Sequence, residues 1–411
     1  MNRVCKTVSL IAFVVLLSAG PAFTQAPSTE ENSNHGGAPV TVASIYVQTH
    51  QGVNVYDATA AGKLTLVKGS PFATIGQMGG TNGKYLISVG TDLLRSYAIE
   101  STGAIGKTVA EINTQDYSGS ECGNNTGAGL ILDRTGKYLY ISMYGALYDD
   151  QWPLCQAWQS YQIAPDGALT FLESLYMTDY LGYADGSAVG TSVPTISEND
   201  RYGYSTYFED CNCGYFFGFS RTPAGPLAQN LTFTYAGPQS DPAAGLAYVP
   251  VFAKTDPSNH LAALMYAVQD GNIESWELAS FAINDATGGI SSTNTWKDMP
   301  TPQVYGTVME ISPSGALLAL AGGNGFGIAG LQIFHFNGAA PITPYSAVLL
   351  PTINIDQMVW DNSNHLYALS YESNQLYVFT VTPTAIREAP GSPYKVESTY
   401  GLNGLMVVPK L

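Results

Sequence analysis

The heptapeptide Gly136-Lys-Tyr-Leu-Tyr-Ile-Ser142 is one copy of a turn-and-strand phrase that recurs along the chain. The copies read GKYLISV (83–89), GKYLYIS (136–142), DRYGYST (200–206), NHLAALM (259–265), SGALLAL (314–320) and NHLYALS (364–370). A second phrase, a strand with one aromatic residue, recurs at intervals of 41 to 64 residues, and its aromatic residues are Tyr56, Tyr97, Tyr161, Phe219, Phe281, Phe334 and Phe379. A propeller blade has four strands in about 40–50 residues, so the repeat predicts an all-β propeller with long loops.

The number of blades follows from the two ends of the repeat. The second phrase occurs seven times and the first phrase six times. The first repeat unit begins at 43–49, with only a polar segment before it. The last segment, GLNGLMVVPKL (401–411), has the pattern of an inner strand with nothing after it. Pairing this strand (about 402–409) with the N-terminal blade leaves no open edge. We therefore predict a seven-bladed β-propeller of four-stranded blades over 42–411.

The same closure explains two short motifs at the extremities of the chain. GSPF (69–72) and GSPY (391–394) are each predicted to end an outer strand. They belong to blades 1 and 7, which lie on either side of the predicted closure.

The N-terminal residues have the features of a targeting segment. A basic start is followed by an apolar run (8–17) that is too short to span a bilayer, and then by small residues. We interpret 1–26 as a signal peptide, cleaved after Ala22 or Ala26, and 27–41 as a flexible tether. We expect a periplasmic or secreted protein with no membrane insertion.

Charge limits the classes of partner. The formal net charge is −16 with only 16 Lys and Arg residues, so the surface offers no basic stripe to a nucleic acid. We predict a monomer whose partner is a small neutral ligand or a protein.

Three features resemble the lactonase-type seven-bladed β-propellers, a family that includes 6-phosphogluconolactonases and fungal muconate-lactonising enzymes. They are the phrase GKYLYIS, the pattern Y-x-I-x-x-D-G-x-L over 161–169 and the GSPF ending. The resemblance covers 43–411 and implies the propeller fold and a lactone hydrolase activity. The family's proposed catalytic His, Arg and Glu residues have no matched positions here, so none is transferred.

A phosphorylated substrate is not expected. A phosphate group requires Arg or Lys beside it. The arginines beyond the signal peptide are predicted to lie away from the channel, and they are Arg95, Arg134, Arg201, Arg221 and Arg387.

The longest insertions point to a ligand-binding face on blades 3 and 4. They span 113–125, 143–156, 176–189 and 209–215, and they carry Tyr148, Asp149, Asp150, Trp152, Tyr180, Tyr183, Asp185, Glu209 and Asp210. Aromatic rings beside carboxylates suit a neutral polyol such as a glycan, and the acids suit calcium. A solvated loop cap is the alternative. No other cofactor or metal is predicted.

Three further ligand-binding candidates, Gln77, Asp356 and Gln357, are predicted near the mouth of the inner strands. The catalytic candidates are His50, Asp185 and Glu209, because each could activate a water molecule.

Four cysteines remain after removal of the signal peptide, and all lie in the insertions: Cys122, Cys155, Cys211 and Cys213. An even number in an exported protein predicts disulfides. Cys122–Cys155 with Cys211–Cys213 is the preferred pairing, and a crossed arrangement stays open. A zinc site is disfavoured because CNC lacks the usual two-residue spacer.

Two functions compete at this stage. The favoured one is a recognition module that uses the blade 3–4 face. The alternative is a lactone hydrolase.

Overall fold

The computed structural model describes residues 40–74, 76–90, 93–114, 122–147, 155–177, 194–209, 213–323, 328–397 and 404–410, without the side chains at 77–78, 122–128, 144–147, 155–156, 208–209 and 213. The thirty secondary-structure elements in this part of the chain are all β-strands. The first fifteen are β1 (Thr41–Thr49), β2 (Gly52–Thr59), β3 (Leu64–Leu66), β4 (Gln77–Thr81), β5 (Tyr85–Val89), β6 (Leu93–Ile99), β7 (Ile105–Asn113), β8 (Cys122–Leu132), β9 (Tyr138–Leu147), β10 (Cys155–Ile163), β11 (Leu169–Tyr176), β12 (Thr195–Ile196), β13 (Tyr202–Glu209), β14 (Cys213–Arg221) and β15 (Leu227–Gln229). The others are β16 (Tyr235–Ala236), β17 (Ala247–Thr255), β18 (His260–Gln269), β19 (Asn272–Ile283), β20 (Ile290–Ser291), β21 (Val308–Ile311), β22 (Leu317–Gly322), β23 (Gly330–Asn337), β24 (Ala340–Pro344), β25 (Gln357–Trp360), β26 (His365–Ser370), β27 (Gln375–Thr382), β28 (Ala385–Glu388), β29 (Tyr394–Lys395) and β30 (Leu405–Pro409).

The strands form seven sheets, one for each blade. From the inner to the outer strand they run β30-β1-β2-β3, β4-β5-β6-β7, β8-β9-β10-β11, β12-β13-β14-β15, β17-β18-β19-β20, β21-β22-β23-β24 and β25-β26-β27-β28. In blade 1 the C-terminal strand β30 pairs antiparallel with β1, with Ile45 opposite Val407. The predicted seven blades and the predicted closure of the ring are therefore confirmed.

The core lies in the seams between neighbouring blades. The seven aromatic residues of the sequence repeat are no more than 7% exposed. Each belongs to a different apolar cluster, and each cluster joins two neighbouring blades. Burial of one large ring per seam explains why the repeat keeps an aromatic residue in its third strand.

The two GSP motifs have the same structural role. Ser70 Oγ accepts a hydrogen bond from the Val55 backbone N–H (3.1 Å), and Ser392 Oγ accepts one from Val378 (3.0 Å). Both Ser–Pro peptide bonds are cis. In each blade the serine hydroxyl thus caps a third-strand N–H group beyond the outer strand.

Tyrosines in the second strands of blades 1, 3 and 4 tie each of these blades to the next. Tyr46, Tyr140 and Tyr204 donate hydrogen bonds of 2.7, 2.9 and 3.0 Å to the carbonyl oxygens of Gly103, Gly225 and Gly288, respectively. Each of these glycines lies in the turn between the third and outer strands of the following blade.

The histidines that begin the second strands β18 and β26 pack into the same kind of seam, because a Cβ at Gly338 or Gly62 of the next blade would lie 2.9 or 3.1 Å from their rings. His365 is fully buried, and its Nδ1 lies 2.7 Å from Asp361 Oδ2. His260 makes the equivalent contact with Asp256 at 3.1 Å.

The compact unit spans Pro39–Leu411. The predicted signal peptide and nearly all of the tether lie outside the described residues. No helix in the described part is long and apolar enough to cross a membrane.

Candidate functional site

A channel of about 650 Å³ runs between the seven inner strands. Residues from all seven blades line it: 79–81, 130–132, 194–195, 252–254, 307–310, 356–359 and 405–407. Each inner strand ends its sheet and so pairs with another strand on one side only. The channel therefore presents backbone N–H and C=O groups, which favour a polar ligand.

Three ionisable side chains line this channel in the described part of the chain: Lys254, Glu310 and Asp356. Asp356 comes just before β25, so it lies at the end where the inner strands begin, which we call the upper mouth. Lys254 and Glu310 are the last residues but one of β17 and β21, and they lie toward the opposite end, the lower mouth.

Asp356 is held in one orientation by two hydrogen bonds. Its Oδ2 accepts one from the Tyr371 backbone N–H (2.7 Å), and its Oδ1 accepts one from Asn354 Nδ2 (3.3 Å). Burial raises the pKa of Asp356, the bond from Tyr371 opposes the rise, and the charge of Glu372 adds to it. An oriented carboxylate with a raised pKa in a channel wall has the properties of a general base.

Gln357 and Tyr371 join the upper mouth to the ring closure. Gln357 Oε1 accepts a hydrogen bond from the Leu405 backbone N–H (2.9 Å), which links the inner strands of blades 7 and 1. A Cβ atom at Gly404 would lie 3.0 Å from the Tyr371 hydroxyl, so the C-terminal segment passes close to this ring. Burial raises the pKa of Tyr371 to about 12, and it therefore stays protonated at neutral pH.

Lys254 and Glu310 form an ion pair across the seam between blades 5 and 6. Lys254 Nζ lies 2.7 Å from Glu310 Oε1, and the two side chains are 37% and 27% exposed. No arginine lines the channel itself in the described part, but Arg134 lines a smaller pocket together with Lys254 and Glu310.

For two other predicted candidates, the described structure places no side chain in the channel wall. His50 is exposed in the turn between β1 and β2 and does not line the channel. Gln77 begins β4 on the upper side, but its side chain is outside the described part.

Most of the predicted blade 3–4 site lies outside the described residues, namely Tyr148, Asp149, Asp150, Trp152, Tyr180, Tyr183, Asp185 and Asp210. Glu209 ends β13, and its side chain is not described. Among the described side chains, no group of three His, Cys, Asp or Glu residues could hold a metal ion. The glycan and calcium predictions for this face stay predictions.

The strand register around Cys122 and Cys155 is relevant to the predicted disulfide between them. Cys122 lies opposite Leu147 and Cys155 opposite Gly145, so β9 separates the two cysteines. Two strand spacings amount to about 10 Å, whereas the Cα atoms of a disulfide are usually less than about 7 Å apart. This register does not favour the Cys122–Cys155 pairing. The sulfur positions, and Cys211 entirely, lie outside the described part, so the crossed arrangement stays open.

The sequence placed Asp356 and Gln357 near the channel mouth, where the structure has them, and their ligand-binding role stays a prediction. It did not single out Asn354, Tyr371, Lys254 or Glu310. One signal was available: Lys254 and Glu310 are charged residues inside the otherwise apolar stretches VPVFAKT (249–255) and VMEI (308–311).

Solved structures of other proteins share this fold. The chain is similar to a periplasmic gluconolactonase of Pseudomonas aeruginosa, PpgL, with a TM-score of 0.58 and 14% identity over 90% of this chain and 99% of the other. It is similar to a candidate 6-phosphogluconolactonase of Bacteroides fragilis, with a TM-score of 0.56 and 13% identity over 93% and 100% of the two chains. A protein from Lactobacillus plantarum gives a TM-score of 0.56 and 14% identity over 88% and 98%.

No protein-family model matches the sequence, and no curated protein does. At these identities the similarity concerns the fold. The chain has the seven-bladed propeller architecture of the lactonase-like proteins, as the sequence resemblance implied.

Proposed function

We propose that this protein is a lactone hydrolase that acts on neutral lactones at the upper mouth of the channel. The observation that carries the proposal is Asp356, an oriented carboxylate in the channel wall whose pKa burial raises. Two proteins that are named as lactonases share this fold. The shared fold supports the lactone hydrolase, which the sequence left open as the alternative, rather than the recognition module.

The proposed reaction needs one base and a hydrogen-bonding environment. Asp356 removes a proton from a water molecule, whose oxygen attacks the carbonyl carbon of the lactone. The ring C–O bond then breaks, and the proton passes from Asp356 to the departing oxygen. The product is a hydroxy acid, which ionises to a carboxylate and releases a proton. Backbone N–H groups of the inner strands can donate to the carbonyl oxygen as its charge develops.

The location proposed for this reaction is outside the cytoplasm. The predicted signal peptide supports it, and one similar protein is named as a periplasmic gluconolactonase.

The decisive variant is Asp356→Asn. It keeps the size of the side chain and its oxygen acceptor but removes the base, so we expect kcat to fall by about 10²–10⁴-fold. The assay measures acid release from a neutral sugar lactone and from an aromatic lactone at constant pH, with spontaneous hydrolysis subtracted. The wild-type rate should fall as the pH drops through the pKa of Asp356, which lies above that of an ordinary aspartate.

His50→Ala is the matched control, because His50 lies outside the channel, and its rate should equal that of the wild type. If His50→Ala abolishes turnover and Asp356→Asn does not, the base is misassigned. If the wild type turns over no lactone, the hydrolase proposal is wrong, and the recognition role of the blade 3–4 face becomes the function to test with glycans and protein partners.

A further inference from the structure

In the described part of the chain one cation, Lys254, lines the channel, and it is already paired. Arg134 lines a smaller pocket beside Lys254 and Glu310, and it is paired with Glu198 at 3.1 Å. Lys254 Nζ is 2.7 Å from Glu310 Oε1, and both side chains line the channel. We propose that Glu310 sets the charge selectivity of the channel: by neutralising Lys254, it restricts the site to uncharged lactones and excludes phosphorylated ones. This inference rests on the proposed function and gives the structural basis of its restriction to neutral substrates.

The position of the pair suits such a role. The four residues of β21 rise by about 10 Å between the two mouths. A ligand that places its lactone carbonyl beside Asp356 and extends along the channel therefore directs its far end toward Lys254. In a phosphorylated sugar lactone, that far end carries the phosphate.

The charges of the channel disfavour an anion there. The three ionisable side chains that line it in the described region carry a formal charge of −1, because Glu310 and Asp356 outnumber Lys254. A phosphate dianion is held in proteins by Arg or Lys donors. Lys254 could serve only if the phosphate displaced Glu310, whose carboxylate would repel it at close range.

The test variant is Glu310→Gln, which keeps the side-chain length and frees Lys254. The probe is gluconate 6-phosphate, and its binding is measured by titration calorimetry and by phosphorus NMR, neither of which needs turnover. We expect the variant to bind the probe at least tenfold more tightly than the wild type. The gain should vanish in the double variant Lys254→Gln/Glu310→Gln and should weaken as salt is added.

Glu388→Gln is the matched control, because it removes the same charge from an exposed position on the outer strand β28, away from the channel, and it should not gain affinity. Glu310→Thr is the second variant, since Thr81 and Thr195 already line the channel; it should show the same gain if Glu310→Gln does not fold.

Two results would overturn the inference: a wild-type affinity for the probe equal to that of the variants, or a gain that persists without Lys254. Turnover of a neutral lactone by the wild type is measured separately. Its absence refutes the proposed function but leaves the binding comparison valid as a test of charge selectivity.

Discussion

At the scale of single residues, the chemistry of Asp356 depends on a glycine. A Cβ atom at Gly323 would lie 2.4 Å from Asn354 Oδ1, so only a residue without a side chain leaves Asn354 room to donate to Asp356. We predict that Gly323→Ala displaces Asn354 and lowers kcat/KM by about tenfold, because the base loses its orientation. The measurement is the pH–rate profile together with the thermal midpoint.

Gly90→Ala is the control for this substitution, because an added Cβ there meets nothing closer than 3.5 Å. An unchanged profile in Gly323→Ala would mean that Asn354 does not orient the base.

Asp361 illustrates a buried charge with a structural role. Burial alone would raise its pKa, but the hydrogen bonds from the His365 ring and backbone outweigh burial and hold the pKa below its ordinary value. A lowered pKa stabilises the fold at pH values above the unfolded pKa of about 4, and this contribution is lost as the pH falls through the folded pKa.

We therefore predict that Asp361→Asn lowers the free energy of unfolding by about 3 kcal/mol at pH 7, since it leaves buried donors without a charged acceptor. Denaturant unfolding from pH 7 to pH 3 should show the difference between variant and wild type shrinking below pH 4. A difference independent of pH would contradict the electrostatic origin.

Glu277 has a raised pKa, in contrast to the lowered pKa of Asp361. Its Oε2 is buried and has no hydrogen-bond partner in the described structure, and burial raises its pKa. The folded protein thus binds this proton more tightly than the unfolded chain does, so stability falls as the pH rises through the folded pKa.

Glu277→Gln removes that titration. We expect the variant to gain stability relative to the wild type between pH 4 and pH 8, as measured by the difference in thermal midpoint. A gap between the two proteins that stays constant over this range would show that the pKa of Glu277 is the same in the folded and unfolded states.

At the scale of elements, the turns between third and outer strands set how closely neighbouring blades approach. Gly225 has a φ of +109°, and an added Cβ would lie 2.1 Å from Tyr138 of the preceding blade. Gly83, in the turn before β5, also has a positive φ of +83°, but an added Cβ there meets nothing within 4 Å.

This contrast separates backbone strain from inter-blade packing. Gly83→Ala should cost about 1 kcal/mol, from the left-handed backbone alone. Gly225→Ala should cost about 2–3 kcal/mol more, because Tyr138 must move out of a packed seam. Chemical denaturation of both variants measures the two costs, and equal values would show that the seam can relax freely.

At the scale of the whole molecule, stability depends on the closure of the ring. The strand β30 contributes Leu405, Met406 and Val408 to the seams on both sides of blade 1, and each is at most 8% exposed. Their burial is worth about 5–8 kcal/mol in total, which is similar to the net stability of a typical domain, about 5–15 kcal/mol.

We predict that a chain ending at residue 404 does not fold into a stable monomer, because it also exposes the whole edge of β1. Size-exclusion chromatography and circular dichroism measure this outcome. Met406→Ala is the milder comparison and should fold with a loss of about 2–5 kcal/mol. A truncated chain that melts like the wild type would mean that the ring is stable without its closing strand.

The sequence by itself determined the number of blades, the place of closure and the location of the GSP motifs in blades 1 and 7. These features follow from local periodicity: the same turn, strand and aromatic residue recur in every blade, and each copy meets the same neighbours. The sequence also placed Asp356 and Gln357 at a channel mouth, because both stand at the start of an inner strand.

Only the tertiary structure decided which side chains meet across a seam. Lys254 and Glu310 are 56 residues apart in the chain, at equivalent positions of the inner strands β17 and β21. Their contact depends on the angle at which blades 5 and 6 pack. That angle is determined jointly by the large buried residues of the seam between these blades. The same holds for Gln357 and Leu405, which are brought together by the closure of the ring. A channel built at the meeting point of seven blades takes its charges from such contacts, so its selectivity can be read only from the folded molecule.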